Sequence, residues 1–366
     1  MKSLFTTDLH TGEFSHGFID ESGLNSRLID ITNRFNKLVK YCKKNCISHL
    51  IIGGDIYDIK TPKNLIRKIF ASLVKTAVEN DLSLILLIGN HDISSSTGHA
   101  LVELEELSSA IKGLTIISTP QIIEIGNVEI AFFPWNPFNN QQQNHEQLQL
   151  LADKITKRSI LLGHFATNKN AYNELEKQEN IDFEFLKSLE FDIVFLGHIH
   201  KRDQLAENIW HISSFTRTSF NEENEMKYVV EFDHDSFDYE FIEFDDRQFK
   251  TFSYDSSKDF ELFKQQIENE DLSELVTRMH VTIAENDINH DEIDRLVGLV
   301  KEKSWKFSGI VKDIIKTANA SFSISEKTTP EVAFKMYCEE NSDMLGAAYN
   351  DCLKEGIAIL NDVRGI

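Results

Sequence analysis

Five short motifs carry the residues able to do chemistry: Asp8-Leu9-His10, Gly54-Asp55, Gly89-Asn90-His91-Asp92, Gly163-His164 and Gly197-His198-Ile199-His200. Each directly follows an apolar run of strand length. Carboxylate, amide oxygen and imidazole are the ligands that hold manganese, iron or zinc. Singly, a Gly-His or an Asn-His-Asp at a strand end reads as a turn whose polar side chain bonds the backbone. Five of them at strand ends in one chain point to convergence, because loops at the carboxyl ends of strands in an α/β sheet share one edge. The seven candidate ligands, Asp8, His10, Asp55, Asn90, His164, His198 and His200, are too many for one ion. They suit two, with Asp55 as the bridge and water in the remaining positions. The other eight histidines lack this placement, although His16 and His211 could lie near the same edge.

The elements that must position these motifs are legible as short apolar runs alternating with amphipathic stretches, the pattern of an α/β layered domain. Strands are predicted at Ser3–Thr7, His49–Gly53, Leu82–Ile88, Val128–Phe133, Ile160–Leu162 and Ile193–Leu196. Between them Leu28, Ile31, Phe35, Leu38, Val39 and Cys42 recur at helical spacing, as do Leu65, Ile66, Ile69, Leu73 and Val74, so helices should pack on a sheet. From Ile209 the pattern turns to strands, including Lys227–Phe232 and Phe237–Phe244, read as a second sheet closing the same domain. A small α+β unit follows from about Lys250, with a helix from Lys258, a strand at Val276–Ala284 and a helix from Asp291 to about Lys303. Glu326-Lys327-Thr328-Thr329-Pro330 reads as a boundary, with Thr329 as N-cap and Pro330 at the first helical position, before helices at about 330–340 and 342–359.

The chain has 366 residues, 41% hydrophobic and 27% charged, which excludes a disordered or fibrous protein. Its net charge of −21 speaks against coating nucleic acid through a globally basic surface. The acidity concentrates at about Glu222–Asp294 and reads as a solvated face. No apolar run is long enough to span a membrane, and the start Met1-Lys2-Ser3-Leu4-Phe5 reaches Thr6 and Thr7 too soon for a signal peptide. A cytoplasmic chain is the expectation. Cys42, Cys46, Cys338 and Cys352 offer no paired spacing of a zinc site and read as reduced thiols.

The order D-x-H, G-D-x-x-D, G-N-H-D, G-H and G-H-x-H resembles the signature of the calcineurin-like metallophosphoesterase superfamily. The resemblance implies a four-layer α/β/β/α sandwich and two divalent metal ions, manganese first, with magnesium or iron as alternatives. Asp8, His10, Asp55 and His200 would hold one ion, and Asp55, Asn90, His164 and His198 the other. His91 would act on the transition state or the leaving oxygen, with Asp92 orienting it through a hydrogen bond. The reaction implied is hydrolysis of a phosphate ester by in-line attack.

Within the superfamily the chain is similar to the SbcD-type nuclease subunits of double-strand-break repair. Gly54-Asp55-Ile56-Tyr57-Asp58 is close to that branch, and Ser213-Ser214-Phe215-Thr216-Arg217-Thr218-Ser219-Phe220-Asn221-Glu222 resembles its G-S-x-x-R-x-S-F-x-E segment, with Ser213 in place of the first glycine. This implies a nuclease domain at 1–249, a capping domain governing DNA access at 250–326, and a helical segment at 327–366 that docks on an SbcC-type coiled-coil ATPase. It also implies a homodimer through helices of the nuclease domain. Lys60, Lys63, Ser94, Ser95 and Arg217 follow the motifs and are the candidates for phosphate contacts. With so acidic a chain, the ATPase partner is expected to supply much of the grip on DNA. The alternative is a small-molecule or nucleotide phosphodiesterase or phosphatase using the same metals.

Overall fold

In the computed structural model, residues 1–95, 98–169, 181–284, 290–315, 330–340 and 349–364 are described. They form two compact units, Met1–Val281 with Asn289–Lys312, and Thr282–Ile288 with Asp313–Ile366.

The first unit is built on two six-stranded sheets. One runs β14-β13-β1-β2-β3-β6, from β1 (Lys2–Thr6), β2 (Ile47–Ile52), β3 (Ser83–Leu87), β6 (Leu114–Ile117), β13 (Tyr228–Asp233) and β14 (Asp238–Glu243). The other runs β11-β12-β10-β9-β8-β7, from β7 (Gln121–Ile125), β8 (Val128–Phe133), β9 (Ser159–His164), β10 (Ile193–Gly197), β11 (Asp203–Ala206) and β12 (Ile209–His211). The hairpin strands β4 (Ile93–Ser95) and β5 (Gly98–His99) lie apart from both. Each large sheet has a parallel run, β1-β2-β3-β6 and β8-β9-β10-β12; antiparallel strands flank the second run at both ends and the first at one, β6 being a parallel edge.

Three apolar clusters fix the layering. Phe5, Ile51, Ile85 and Phe232 of the first sheet meet Ile130, Phe132, Leu162 and Phe195 of the second in one core between the sheets. The outer face of the first sheet packs on helices α1 (Ser26–Lys44) and α2 (Asn64–Glu79), through Leu28, Phe35, Phe70 and Leu73. After the short helix α3 (Val102–Ser108) come α4 (Gln141–Ala152) and α5 (Phe183–Ser188), which cover the second sheet with Leu148, Leu151 and Leu186. The result is the expected α/β/β/α sandwich. Each fully buried Leu, Ile or Phe contributes roughly 2 kcal/mol to holding these layers. The helix at Leu28–Cys42 forms because its apolar residues fall on one stripe, and it starts where the Asn25 side chain accepts the Arg27 N–H.

One expectation is corrected. The strands after Ile209 do not make a sheet of their own, because β12 adds to β10 and β13 pairs antiparallel with β1. The edges of two parallel sheets were open to them, and pairing there satisfies backbone groups that would otherwise face water or lie unpaired.

Beyond the sandwich, β15 (Phe249–Asp255), β16 (Val276–Ala284) and β17 (Lys306–Ile315) form a three-stranded sheet, with helices α6 (Phe260–Asn269) and α7 (His290–Lys303). Trp305 lies under the Arg247 guanidinium, 3.7 Å from the ring centre. In the second unit α8 (Pro330–Glu340) packs on α9 (Tyr349–Arg364), with Gly356 so close to the Phe334 ring that a Cβ would fall 2.2 Å from it. The boundary at Glu326–Thr329 and residues 342–348 of the last predicted helix lie outside the described residues. Among the described residues no helix is long and apolar enough to cross a membrane.

Candidate metal centre

The five motifs sit at the carboxyl ends of β1, β2, β3, β9 and β10, three from one sheet and two from the other, so the site forms where the two sheet edges face each other. The Gly53 carbonyl, at the end of β2, is 2.8 Å from His164 Nδ1 at the end of β9 and ties the two edges together. Asp8, His10, Asp55 and His198 all have left-handed backbone, with φ of 53°, 48°, 48° and 78°. Non-glycine residues adopt this conformation at a cost of about 1–3 kcal/mol each, and such strain gathers at functional sites. Part of that cost is offset by backbone bonds, Asp8 N–H to the Gly54 carbonyl and His10 N–H to the Asp55 carbonyl.

Among the described residues, three groups of side chains could hold a metal ion: Asp8 with His10 and His200, His10 with Asp55 and His91, and Asp8 with Asp55 and His164. Asp55 is shared and divides its oxygens, Oδ2 3.7 Å from His10 Nε2 and Oδ1 3.3 Å from His164 Nε2. Asn90 Oδ1 lies 2.9 Å from His164 Nε2 and 2.9 Å from His198 Nδ1. His198 is also held by its N–H to the Asp8 carboxylate and by its ring stacked on Trp135 at 5.3 Å.

The donor chemistry fits cations. His200 gives its Nδ1–H to Glu222 Oε1 at 3.1 Å, which turns its Nε2 to within 3.0 Å of His10 Nε2, two ligand atoms aimed at one point. His164 gives its Nδ1–H to the Gly53 carbonyl and turns its Nε2 to the Asn90 oxygen at 2.9 Å. Positive charge among these atoms, from a bound cation or from a ring proton, suits the buried carboxylates around them. The protonation preferences agree: burial alone would lower the His164 pKa, but the buried Asp55 charge pushes it up to about 9. Burial would likewise raise Asp55, yet His164, with His10 and His91, holds it far below the usual carboxylate range. At His200 burial is overridden by Glu222, which raises the ring, whereas His198, buried and beside His164, falls to about 4. For Glu222 itself burial is outweighed by His200 and Lys227, which keep it well below the usual carboxylate range.

His91 stands at the rim of this group. Its N–H donates to Asp55 Oδ1 at 2.8 Å, its Nδ1 is 2.6 Å from the Asp58 carbonyl oxygen, and its ring meets His10 edge-on at 4.9 Å. The expected hydrogen bond from Asp92 to His91 is not made. Asp92 is completely buried and accepts instead from the N–H groups of Gly89, Ile56 and Tyr57, tying the loop after β3 to the loop after β2. Burial, and then the nearby Asp55 charge, push its carboxyl up to about 7 despite those three donors.

Arg217 is a second correction. It is 1% exposed, with its backbone N–H and Nη1 on Asp246, Nε on the Glu222 carbonyl and Nη2 on the Glu225 carbonyl, so it cannot reach a phosphate. Lys60, Ser94 and Ser95 are exposed, and so is Lys63, which pairs with Glu13. Two partners of the site were missed by sequence reasoning: Asp58, whose carbonyl holds His91, and Glu222, which holds His200. The signal was available in both, since each closes a motif already singled out.

A family model described as calcineurin-like phosphoesterase matches residues 1–202. No curated protein is significantly similar in sequence. Among solved structures, the chain is similar to a dimetal phosphatase from Danio rerio at 10% identity, covering 63% of this chain and 91% of that one, with a TM-score of 0.40. It is similar to the calcineurin-like phosphoesterase YfkN from Bacillus subtilis at 15% identity, with 66% and 88% covered and a TM-score of 0.38. A cold-active protein-tyrosine phosphatase of a psychrophilic Shewanella species matches at 11% identity, with 66% and 80% covered and a TM-score of 0.30. With the family model spanning more than half of its length, the chain belongs to the calcineurin-like phosphoesterases, and the dinuclear metal site typical of that family has candidate ligands in the cluster around Asp8 and Asp55.

Proposed function

We propose that this chain is a metal-dependent DNA nuclease, working with an SbcC-type coiled-coil ATPase in recombination and double-strand-break repair. The observation that carries the reading is the convergence of His10, His200, His164 and Asn90 around Asp55, with His91 at the rim. In this reading Asp8, His10, Asp55 and His200 hold one ion, and Asp55, Asn90, His164 and His198 the other. Two divalent ions, manganese first with magnesium or iron as alternatives, would neutralise charge on the phosphate and lower the pKa of a water.

The protein's own groups do the rest. The Asp58 carbonyl fixes the proton of His91 on Nδ1, so His91 addresses a substrate through Nε2 and can carry a proton to the leaving oxygen. Asp92 keeps the two loops that bear Asp55 and Asn90 in register. Beside His198 and His200 an open cavity of about 620 Å³ runs along Lys201, Thr218 and Ser219. Support for DNA as the substrate comes from the motif details, Gly54-Asp55-Ile56-Tyr57-Asp58 and the Ser213–Glu222 segment.

Lys60, Lys63, Ser94 and Ser95 remain the candidates for phosphate contacts. By the same resemblance, residues 250–326 govern access, 327–366 dock on the ATPase, and α1 and α2 offer the surfaces of a homodimer in the cytoplasm. The test is manganese-dependent degradation of end-labelled duplex DNA by the purified chain, beside bis-p-nitrophenyl phosphate and a nucleotide monophosphate, with His91→Ser as control. Degradation of DNA that the control abolishes supports the nuclease. Turnover of the small esters alone moves the protein to the small-molecule phosphodiesterases of the same family.

A further inference from the structure

Behind His200, on the side away from the other candidate ligands, lies a buried ion pair that the proposed chemistry does not use. Glu222 is 5% exposed and Lys227 2%. Glu222 Oε1 accepts from His200 Nδ1 at 3.1 Å, from the Thr218 N–H at 3.1 Å and from Thr218 Oγ1 at 2.6 Å. Its Oε2 accepts from Lys227 Nζ at 2.6 Å and from Ser214 Oγ at 3.2 Å. Lys227 Nζ donates in addition to Ser214 Oγ at 2.8 Å and to the backbone carbonyl of His200 at 3.1 Å.

We propose that Glu222 and Lys227 together form a positioning device for His200, gripping its ring and its main chain at once so that Nε2 is presented to the metal site. The inference rests on the metal reading given above. Its geometry separates it from a simple loop staple. A carboxylate at the ring nitrogen opposite the ligating one selects the tautomer, stops ring rotation and makes the ligating nitrogen more basic. The lysine supplies what a lone buried carboxylate lacks, a counter-charge, which it shares between Glu222 at 2.6 Å and Glu225 at 3.6 Å. Lys227 also touches the main chain of the same histidine, which a staple for the Ser213–Lys227 segment would not require. Glu222 borders the cavity beside His200, but it belongs to none of the candidate ligand groups among the described residues and both its oxygens are taken up by His200, Thr218, Lys227 and Ser214, so it acts on the metal site through His200.

The isosteric Glu222→Gln variant tests this, because any orientation of the amide turns an N–H toward either His200 or Lys227 and breaks one arm of the grip. Calorimetric titration of Mn2+ into the metal-stripped full chain, with thermal melts of the same samples, gives the readout. The expected result is two ions bound by the wild type, with one of the two weakened 10- to 100-fold in the variant and the other unchanged. Hydrolysis of bis-p-nitrophenyl phosphate by the variant should then recover as Mn2+ is raised. Wild-type affinity for both ions in Glu222→Gln overturns the inference. Equal weakening of both ions together with a lower melting temperature also overturns it, leaving a structural staple. A wild type that binds fewer than two ions overturns the metal reading and this inference with it.

Discussion

The Nδ1 of His91 lies 2.6 Å from the backbone carbonyl oxygen of Asp58, and this contact decides what His91 can do. A carbonyl accepts only, so the ring proton sits on Nδ1 and Nε2 is the nitrogen left for a substrate. His91 is also near enough to His10 and Asp55 to be counted as a third possible ligand. The two roles predict different losses. As a proton carrier, His91→Ser should lower turnover by about 10²- to 10⁴-fold while both ions bind as before. Loss of one ion in calorimetric titration of that variant would make His91 a ligand instead.

Gly54 is the glycine the site can least spare. Its φ is +101°, and a Cβ there would stand 2.1 Å from His164 Nδ1. Gly54→Ala should therefore push His164 off the Gly53 carbonyl, destabilise the chain by about 3 kcal/mol and weaken metal binding at least tenfold. Gly298, exposed inside α7 with no atom within 4 Å of a Cβ, is the matched control. Gly298→Ala should stabilise by about 0.5–1 kcal/mol through helix propensity. Urea unfolding of both variants checks the pair, and similar effects at the two positions would show that crowding of His164 is not the cause.

The candidate site was legible in the sequence to the extent that it is a property of strand ends. Asp8, Asp55, Asn90, His164 and His198 each follow a parallel strand directly, and parallel strands bring their carboxyl ends to one edge whatever the intervening chain does. Side-chain partners inside the site were not legible in this way. Asp92 follows His91 and could have oriented it, but after the turn its carboxylate meets three backbone N–H groups instead. Arg217 follows the last motif and looked like a phosphate contact, yet its segment turns inward against Asp246. Local sequence carries no signal for such a turn. The edge strands were hardest: Asp203–Ala206 is too short and polar to show a period, and it exists because β12 offers an open edge. At Ser213 φ is 89°, a backbone conformation that glycine adopts without the cost a Cβ brings.

Removal of metal should be read in stability as well as in activity. The folded chain gathers Asp8, His10, Asp55, His164 and His200 into groups able to hold an ion, which the unfolded chain disperses. An ion bound only by the folded form adds about 2.7 kcal/mol at a free concentration 100 times its dissociation constant. Chelation with EDTA should abolish hydrolysis and lower the melting temperature by several degrees, and Mn2+ should restore both. A melting temperature indifferent to EDTA and Mn2+ would argue against a metal centre in this cluster.

His234 sets an acid limit on stability, at a place remote from the metal cluster. It is fully buried beside β1, with Ser3 Oγ 2.6 Å from its Nε2. Burial, and then His49 and the N-terminal amine, lower its pKa to about 4. In the unfolded chain the ring takes up its proton as pH falls below about 6.5, whereas the folded chain refuses it until about 4. The unfolded state therefore binds more protons across that window, and stability is lost as pH falls through it. Between pH 7 and pH 5 the loss from this one residue is about 2 kcal/mol. His211, fully buried and lowered to about 3 by burial and then by His198, contributes in the same direction. Urea unfolding of the metal-stripped chain at the two pH values gives the total, and His234→Asn should lose about 2 kcal/mol less across the window than the wild type. An identical pH dependence in the variant would mean that His234 is protonated in the folded chain with the Ser3 contact reversed.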